Sequence, residues 1–229
     1  MATITEPEKT NTTSGQPAGS RRWPLWGLAA GVLGAIATIF TNVTAGPEPV
    51  GPEALKNLSG ATYHVGGALG YVAVACLLAF AGCWRARVTH VMPASAAARV
   101  VADGFVISAA GLALGYGWKL AMALYLPGGV DKNALGDEAK FVYFVLNDFG
   151  AFIGWLGVVI AAGAIAWLGL RDKVVATWLA VLSIVPVLAV LVMSLGLSVA
   201  GYPGIVGPVW LILAGAALTF GRHRIIGTR

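Results

Sequence analysis

The chain has 229 residues, of which 58% are hydrophobic and 11% are charged, and its mean hydropathy is +0.79. Soluble domains carry about a quarter charged residues, so this composition excludes an ordinary soluble domain. The net charge of +5 would suit a nucleic-acid partner. The positions of the basic residues, described below, give that charge another meaning.

Polar residues open the chain, and apolar runs then alternate with short polar connections. Residues 1–20 contain Thr, Ser, Gly, Pro and Glu with almost nothing to bury, which predicts a disordered cytoplasmic tail. Six apolar runs follow, at 23–41, 62–84, 97–126, 141–170, 175–199 and 204–221. Each is long enough to cross about 30 Å of hydrocarbon, where only a helix satisfies its own backbone groups. The sequence therefore predicts an all-α, polytopic membrane protein in which residues 21–229 form one six-helix bundle.

Basic residues are concentrated at one set of predicted helix ends. Most of the 15 Lys and Arg residues lie there: Lys9, Arg21, Arg22, Arg85, Arg87, Arg99, Arg171, Lys173, Arg222, Arg224 and Arg229. Lys56, Lys132 and Lys140 lie at the opposite ends. The positive-inside rule then predicts that both termini are cytoplasmic and that the 43–61 and 127–140 loops are outside. The charge is thus a topology signal of a multi-pass protein of the plasma membrane, and no nucleic-acid partner is expected.

The first span also resembles a secretory signal. Arg21 and Arg22 precede it, and residues 43–45, Val-Thr-Ala, resemble a cleavage site. The apolar run is longer than the roughly 7–15 residues of a signal core, which favours a retained anchor. Cleavage after this span stays open as the alternative.

Four spans carry two glycines four residues apart, a spacing that lets helices approach closely in lipid and predicts a compact bundle. The pairs are Gly27/Gly31, Gly66/Gly70, Gly111/Gly115 and Gly150/Gly154. Two of these segments resemble each other, HVGGALGY from His64 and DFGAFIGW from Asp148, which raises internal duplication as a hypothesis. Pro186 and Pro208 predict kinks in the last two spans.

Four ionisable side chains within the predicted spans are candidate functional residues: His64, Asp103, Lys119 and Asp148. A charge buried in a bilayer costs about 3 kcal/mol or more, so each needs an explanation. Asp103 lies four residues after Arg99 near the cytoplasmic side, which favours an interfacial ion pair and leaves Asp103 as a second candidate acid. The other three lie toward the outer side, where we expect them to converge with Asn147 beneath the two outer loops.

Lys119 and Asp148 are predicted to contact each other, because pairing is the usual way in which buried charges persist in lipid. A purely structural pair explains them as well as a functional pair does. Aromatic residues flank both, and Tyr63 and Tyr125 are interpreted as part of an interfacial aromatic belt. Candidates for the walls of a pocket are Tyr116, Trp118, Tyr143 and Trp155.

Several kinds of chemistry have no support in the sequence. It contains no GxGxxG, P-loop, HExxH or GxSxG motif. The three histidines fall at different depths, and Cys76 and Cys83 match neither a CxxC pair nor a metal framework. No metal and no cofactor are therefore expected.

The leading functional hypothesis is a membrane protein that binds or acts on an apolar, lipid- or isoprenoid-like ligand from the outer leaflet. In its enzymatic form, an isomerase or cyclase, Asp148 is the general acid or base and His64 or Tyr116 completes a proton relay. The expected ligand-binding residues are Lys119, Asn147, Tyr143, Trp118 and Trp155.

Two alternatives to this hypothesis stay open. One is a proton- or ion-coupled small carrier, for which six helices would require a homo-oligomer to form a pathway. The other is a structural membrane protein that binds a partner without catalysis, in which the ion pair only fixes the register of two helices.

Overall fold

Apolar runs of membrane length fold as helices throughout the part of the chain that the computed structural model describes, residues 22–42 and 51–221. This part contains seven α-helices and no strand: α1 (Leu25–Ala35), α2 (Gly60–Trp84), α3 (Ala96–Tyr125), α4 (Asp137–Ile153), α5 (Leu156–Leu170), α6 (Thr177–Val190) and α7 (Pro203–Phe220). The predicted tail, the candidate cleavage site at 43–45 and the basic residues at 222–229 lie outside the described residues.

Within residues 22–42 and 51–221, five helical segments are long and apolar enough to cross a membrane: Gly60–Thr89, Ala96–Tyr125, Asp137–Leu170, Thr177–Gly196 and Pro203–Phe220. Leu25–Phe40 is a shorter apolar helix, about 24 Å long at 1.5 Å per residue. The predicted all-α, multi-pass membrane fold is confirmed by these spans. Apolar side chains on the outer surface of the bundle, many of them on α6, contact the lipid bilayer: Trp178, Val181, Val185 and Leu188.

The helices pack around α3, which contacts α2, α4 and α5. Helix α1 lies between α2 and α7, and α6 lies at the edge against α5 and α7. Consecutive spans run antiparallel and define two ends of the bundle. We call the end with residues 51–59 and 126–136 the loop end, and the end with Arg85, Arg99 and Arg171 the basic end.

The predicted glycine pairs lie at close helix contacts. A Cβ atom added at Gly115 would lie 2.5 Å from the backbone nitrogen of Ala151, and one at Gly150 would lie 2.6 Å from the Trp118 ring. Gly70 packs against the Tyr116 ring in the same way. Both glycine-rich segments that resemble each other in sequence therefore pack on α3, where a larger side chain would force the helices apart.

Several helical segments of the described chain depart from regular α-geometry, and two of them concern the first and the fourth spans. Helix α1 continues as a π-helical turn, Ile36–Phe40, and the predicted continuous span at 141–170 is interrupted at residues 154–155, between α4 and α5. The backbone N–H of Val158, just after the interruption, donates to Ser108 Oγ at 2.8 Å. A side chain from α3 thus stabilises the irregular backbone, as membrane-buried breaks require.

The half of the bundle nearer the basic end has an aromatic core. Phe80 is 1% exposed, and its ring lies 5.5 Å from that of Trp23 and 4.9 Å from that of Phe105. The buried Trp84 indole donates to the carbonyl of Ala98 at 3.0 Å. Large rings with their polar atoms hydrogen-bonded give this half a packed, satisfied interior.

Candidate functional site

Lys119 is the deepest charged side chain at the loop end, with only 1% of its surface exposed. Its ammonium donates to the carbonyl oxygen of Ala37 at 2.6 Å and to Thr41 Oγ1 at 2.8 Å. The last carbonyls of a helix have no intrahelical donors and carry the negative end of the helix dipole. Lys119 therefore caps the first helix across the bundle, which explains how a charge persists in this place.

Neighbouring residues on α2 make room for the Lys119 side chain. A Cβ atom at Gly66 would collide with Thr41 and would lie 3.2 Å from Lys119 Cδ. The Tyr63 ring centroid lies 5.9 Å from the ammonium nitrogen, within the range of a cation–π interaction. Three helices thus enclose this ammonium.

Asp148 is half-buried on α4, and its Oδ1 accepts a hydrogen bond from Asn42 Nδ2 at 3.2 Å. Among the described residues, Lys119 and Asp148 form no ion pair within 4.0 Å, so the predicted contact is wrong. The reason is the end of the first helix, where Thr41 binds the ammonium and Asn42 binds the carboxylate. The two charges still lie near enough to attract each other electrostatically.

Two more polar side chains lie in the same region without partners. Asn147 is 1% exposed and Tyr63 is 0% exposed, and within the described chain the Asn147 amide and the Tyr63 hydroxyl accept or donate no hydrogen bond. Apolar side chains pack around Tyr63: Leu55, Leu58, Met122, Leu126 and Phe144. The interpretation of Tyr63 as an interfacial belt residue is therefore wrong, because the loop leucines and α4 enclose it.

Tyr116 and Trp155 lie elsewhere in the bundle, on Thr38. The Tyr116 hydroxyl and Thr38 Oγ1 are 2.8 Å apart, and the Trp155 indole donates to the same oxygen at 3.0 Å. This buried triad joins the π-helical turn of the first helix to the interruption between α4 and α5. The Tyr116 hydroxyl is hydrogen-bonded to Thr38 and not to Asp148, so its predicted role in a relay stays a prediction.

The remaining candidates lie at the periphery of the bundle. His64 is exposed, Trp118 packs against Gly150, and the half-buried Tyr143 ring lies 5.6 Å from that of Tyr125. The structure therefore brings together Lys119, Asn147 and Asp148 but not His64 or Trp118, whereas Tyr143 packs against the apolar cluster around Tyr63.

Asp103 lies at the basic end, far along α3 from the loop-end residues. Its carboxylate pairs with Arg85 at 2.9 Å. Arg99, the partner that the sequence spacing suggested, donates to the carbonyl of Pro93 instead. Asp103 thus forms an ion pair, but with a different arginine from the one expected, and its position at the membrane interface stays a prediction.

Sequence reasoning missed the contribution of the first helix. Thr38 belongs to the buried triad. Thr41 binds the ammonium of Lys119, and Asn42 binds the carboxylate of Asp148. Thr41 follows Thr38 by three residues and Asn42 by one more, so all three lie near one face at the end of a helix. That pattern in an otherwise apolar run was a signal available in the sequence.

The site combines a positive charge, a half-buried carboxylate and neutral polar groups that have no partner among the described residues, beneath an apolar cover. Groups of these kinds are the ones that bind an uncharged polar ligand and exchange a proton with it. Within residues 22–42 and 51–221, no three His, Cys, Asp or Glu side chains are grouped to hold a metal ion. Comparison of the chain with protein-family models, curated proteins and solved structures gives no match, so the functional argument depends on this geometry.

Proposed function

We propose that the protein binds an apolar, lipid- or isoprenoid-like ligand in the loop-end half of the bundle, and that Asp148 exchanges a proton with it. The loop end faces the outside of the plasma membrane, and the ligand enters from the outer leaflet. The observation that carries the proposal is a carboxylate inside a membrane span that no ion pair with Lys119 neutralises. Ionisable groups in that position are by default functional.

The surroundings of Asp148 support access from the lipid. On the same helix, Val145, Leu146 and Phe149 are exposed on the outer surface, whereas Asn147 is buried. Asp148 is half-buried between these two sides of the helix. A ligand in the bilayer can therefore approach the carboxylate, whose orientation the Asn42 hydrogen bond fixes.

An isomerisation fits this arrangement without a further reactant. In its protonated form Asp148 donates its proton to a double bond of the ligand, which leaves a tertiary carbocation, and the resulting carboxylate removes a proton from a neighbouring carbon, so that the double bond shifts and the acid is restored. The nearby Lys119 ammonium stabilises the carboxylate that forms between the two proton transfers. Exclusion of water by the apolar cover strengthens this electrostatic interaction.

The test is to identify apolar molecules that co-purify with the protein in lipid nanodiscs, by mass spectrometry, for the wild type and for Asp148→Asn. We expect one class of molecule to be enriched over the bulk membrane lipid and to be lost in the variant, which keeps its fold. Asp131→Asn, at an exposed acid of the loop end, is the matched control and should retain the ligand. Equal retention in both variants, or no enrichment in the wild type, would contradict the proposal.

A coupled carrier is the second candidate, and the helix interruption at residues 154–155 favours it. Broken helices line the binding sites of many transporters, and this break lies six residues after Asp148 on the same span. Proteoliposomes that contain the protein and an internal pH dye separate the two candidates. Proton flux that disappears in Asp148→Asn would favour the carrier, whereas ligand conversion without flux would favour the enzyme.

A further inference from the structure

The buried polar side chains of the bundle differ in whether they have hydrogen-bond partners. Six polar or charged residues are buried in the described chain, and five of them make hydrogen bonds: Thr38, Thr41, Ser108, Lys119 and Ser183. Asn147 is the exception, since both its amide oxygen and its amide nitrogen lack a partner in this part of the protein. Buried polar atoms are almost always hydrogen-bonded, so an unpartnered amide needs an explanation.

Tyr63 adds a second unpartnered group to the same region. Its hydroxyl can donate one hydrogen bond and accept others, and the Asn147 amide offers two N–H donors and a carbonyl oxygen. Phe144, one turn before Asn147 on α4, belongs to the apolar cluster that packs around Tyr63. The two groups together present both donors and acceptors, so a group that also does both would satisfy them.

The charges on either side of these groups give a charged partner no net advantage. The Lys119 ammonium lies 5.9 Å from the centre of the Tyr63 ring, and Asp148 follows Asn147 directly and interacts electrostatically with Tyr63. A cationic group would be repelled by the ammonium and attracted by the carboxylate, and an anionic group the reverse, so neither gains enough to offset the loss of its hydration. An uncharged group does not have that cost.

The cover above these groups is apolar. Leu55 and Leu58, from the segment after the first helix, pack with Phe144, Met122 and Leu126 over the Tyr63 side chain. The 3₁₀ segment Pro52–Asn57 contacts α4, the helix that carries Asn147. Leucine side chains in this place occupy the volume that the hydrocarbon next to a ligand's polar group would occupy.

We propose that the ligand is a long-chain alcohol whose hydroxyl group binds between Tyr63 and Asn147 after Leu55 and Leu58 have moved aside. This inference rests on the proposed function of the same site and names the chemical class of its ligand. A hydroxyl group donates and accepts hydrogen bonds and carries no charge, so it matches both the unpartnered groups and the charges around them.

The experiment uses three photoreactive probes with one isoprenoid chain and different polar ends: an alcohol, a carboxylic acid and an amine. The full chain in phosphatidylcholine nanodiscs is irradiated with each probe, and labelled peptides are identified by mass spectrometry. We expect the alcohol to label the peptides that contain Tyr63 or Asn147 several-fold more than the acid or the amine does. Equal or stronger labelling by a charged probe would overturn the inference.

Variants test the two binding groups. Tyr63→Phe and Asn147→Leu should each reduce labelling by the alcohol several-fold, whereas Tyr125→Phe and Asn133→Leu, matched changes at the same end, should not. Tyr63→Phe removes a single oxygen atom, so it remains informative if Asn147→Leu does not fold. Unchanged labelling in Tyr63→Phe, or no labelling of these peptides in the wild type, would overturn the inference.

The outcomes separate this inference from the proposed function. A ligand that co-purifies with the wild type, is lost in Asp148→Asn and carries a charged end would leave the proposed function standing while overturning the inference. Labelling by the alcohol that depends on Tyr63 but not on Asp148 would support the inference and contradict the proton-transfer role of Asp148.

Discussion

The two halves of the bundle differ in how far their buried polar atoms are hydrogen-bonded. Near the basic end, Phe80 packs with Trp23 and Phe105, and the Trp84 indole has a carbonyl partner. Near the loop end, buried polar groups are more numerous, and the amide of Asn147 lacks a partner in the described chain. Unpartnered buried groups cost about 1–3 kcal/mol each. The comparison indicates that the basic half supplies stability, whereas the loop half gives up stability where we propose a binding site.

The largest expected effect is in the basic half. Phe80→Ala removes a side chain that is 1% exposed and should lower the free energy of unfolding by about 3–5 kcal/mol, because it leaves a cavity among three aromatic rings. Unfolding by sodium dodecyl sulfate in mixed micelles measures this loss. Leu78→Ala on the same helix, at a residue that is 47% exposed, is the control and should cost much less. Equal losses would mean that this half is not the stabilising core.

The next effect concerns the capped end of the first helix. Lys119→Met should cost about 2 kcal/mol, since hydrogen bonds from a charged donor are worth about 1.5–3 kcal/mol. In a double-mutant cycle, Lys119→Met and Thr41→Val should couple by about 1 kcal/mol, because the two side chains are 2.8 Å apart. Coupling of Lys119→Met with Asp148→Leu should be smaller. A larger coupling with Asp148 would show that these charges pair in the membrane.

Two buried tyrosines sharpen the comparison within one experiment. Tyr116→Phe should lower the free energy of unfolding by about 1 kcal/mol, because it removes the hydrogen bond to Thr38. Tyr63→Phe should leave stability unchanged or raise it, since its hydroxyl has no hydrogen-bond partner among the described residues. Thermal unfolding of both variants in the same detergent shows whether each substitution lowers or raises stability. A loss in Tyr63→Phe as large as in Tyr116→Phe would show that the Tyr63 hydroxyl has a partner after all.

The smallest effect is expected at the surface of the basic end. Asp103→Asn breaks the ion pair with Arg85. The Arg85 side chain is 50% exposed and the Asp103 side chain is 58% exposed. Exposed pairs contribute up to about 1 kcal/mol, so the change should be near the limit of measurement and should shrink further in high salt. A loss above about 2 kcal/mol would indicate that the pair is shielded from water.

Hydropathy alone predicted most of the fold because polar loops bound each apolar run. The third span, predicted at 97–126, is Ala96–Tyr125 in the structure. The interruption after α4 was not predictable in this way, since glycine and tryptophan also occur inside regular helices. It depends on Ser108, a side chain from another helix, which hydrogen-bonds to the backbone there.

The candidate site was predictable in its residues but not in its pairing. The burial of Lys119 follows from its place one turn after Gly115, on a helix with close neighbours. Its partner could not be read from the sequence, because the Ala37 carbonyl lacks a backbone donor only where the first helix ends, and there it accepts from Thr41 Oγ1 as well as from Lys119. Tyr63 was misread for a similar reason, since its enclosure depends on how the Leu55 segment folds back onto the bundle.

The cap on the first helix has a consequence for membrane insertion. Its donor, Lys119, lies 82 residues further along the chain than Ala37, so the ribosome makes the first helix well before the residue that completes it. Until then the Ala37 carbonyl and the Thr38 hydroxyl lack their partners from α3. We therefore expect the first helix to stay beside the translocon or in the headgroup region, where water can reach this polar end, until α3 has been made.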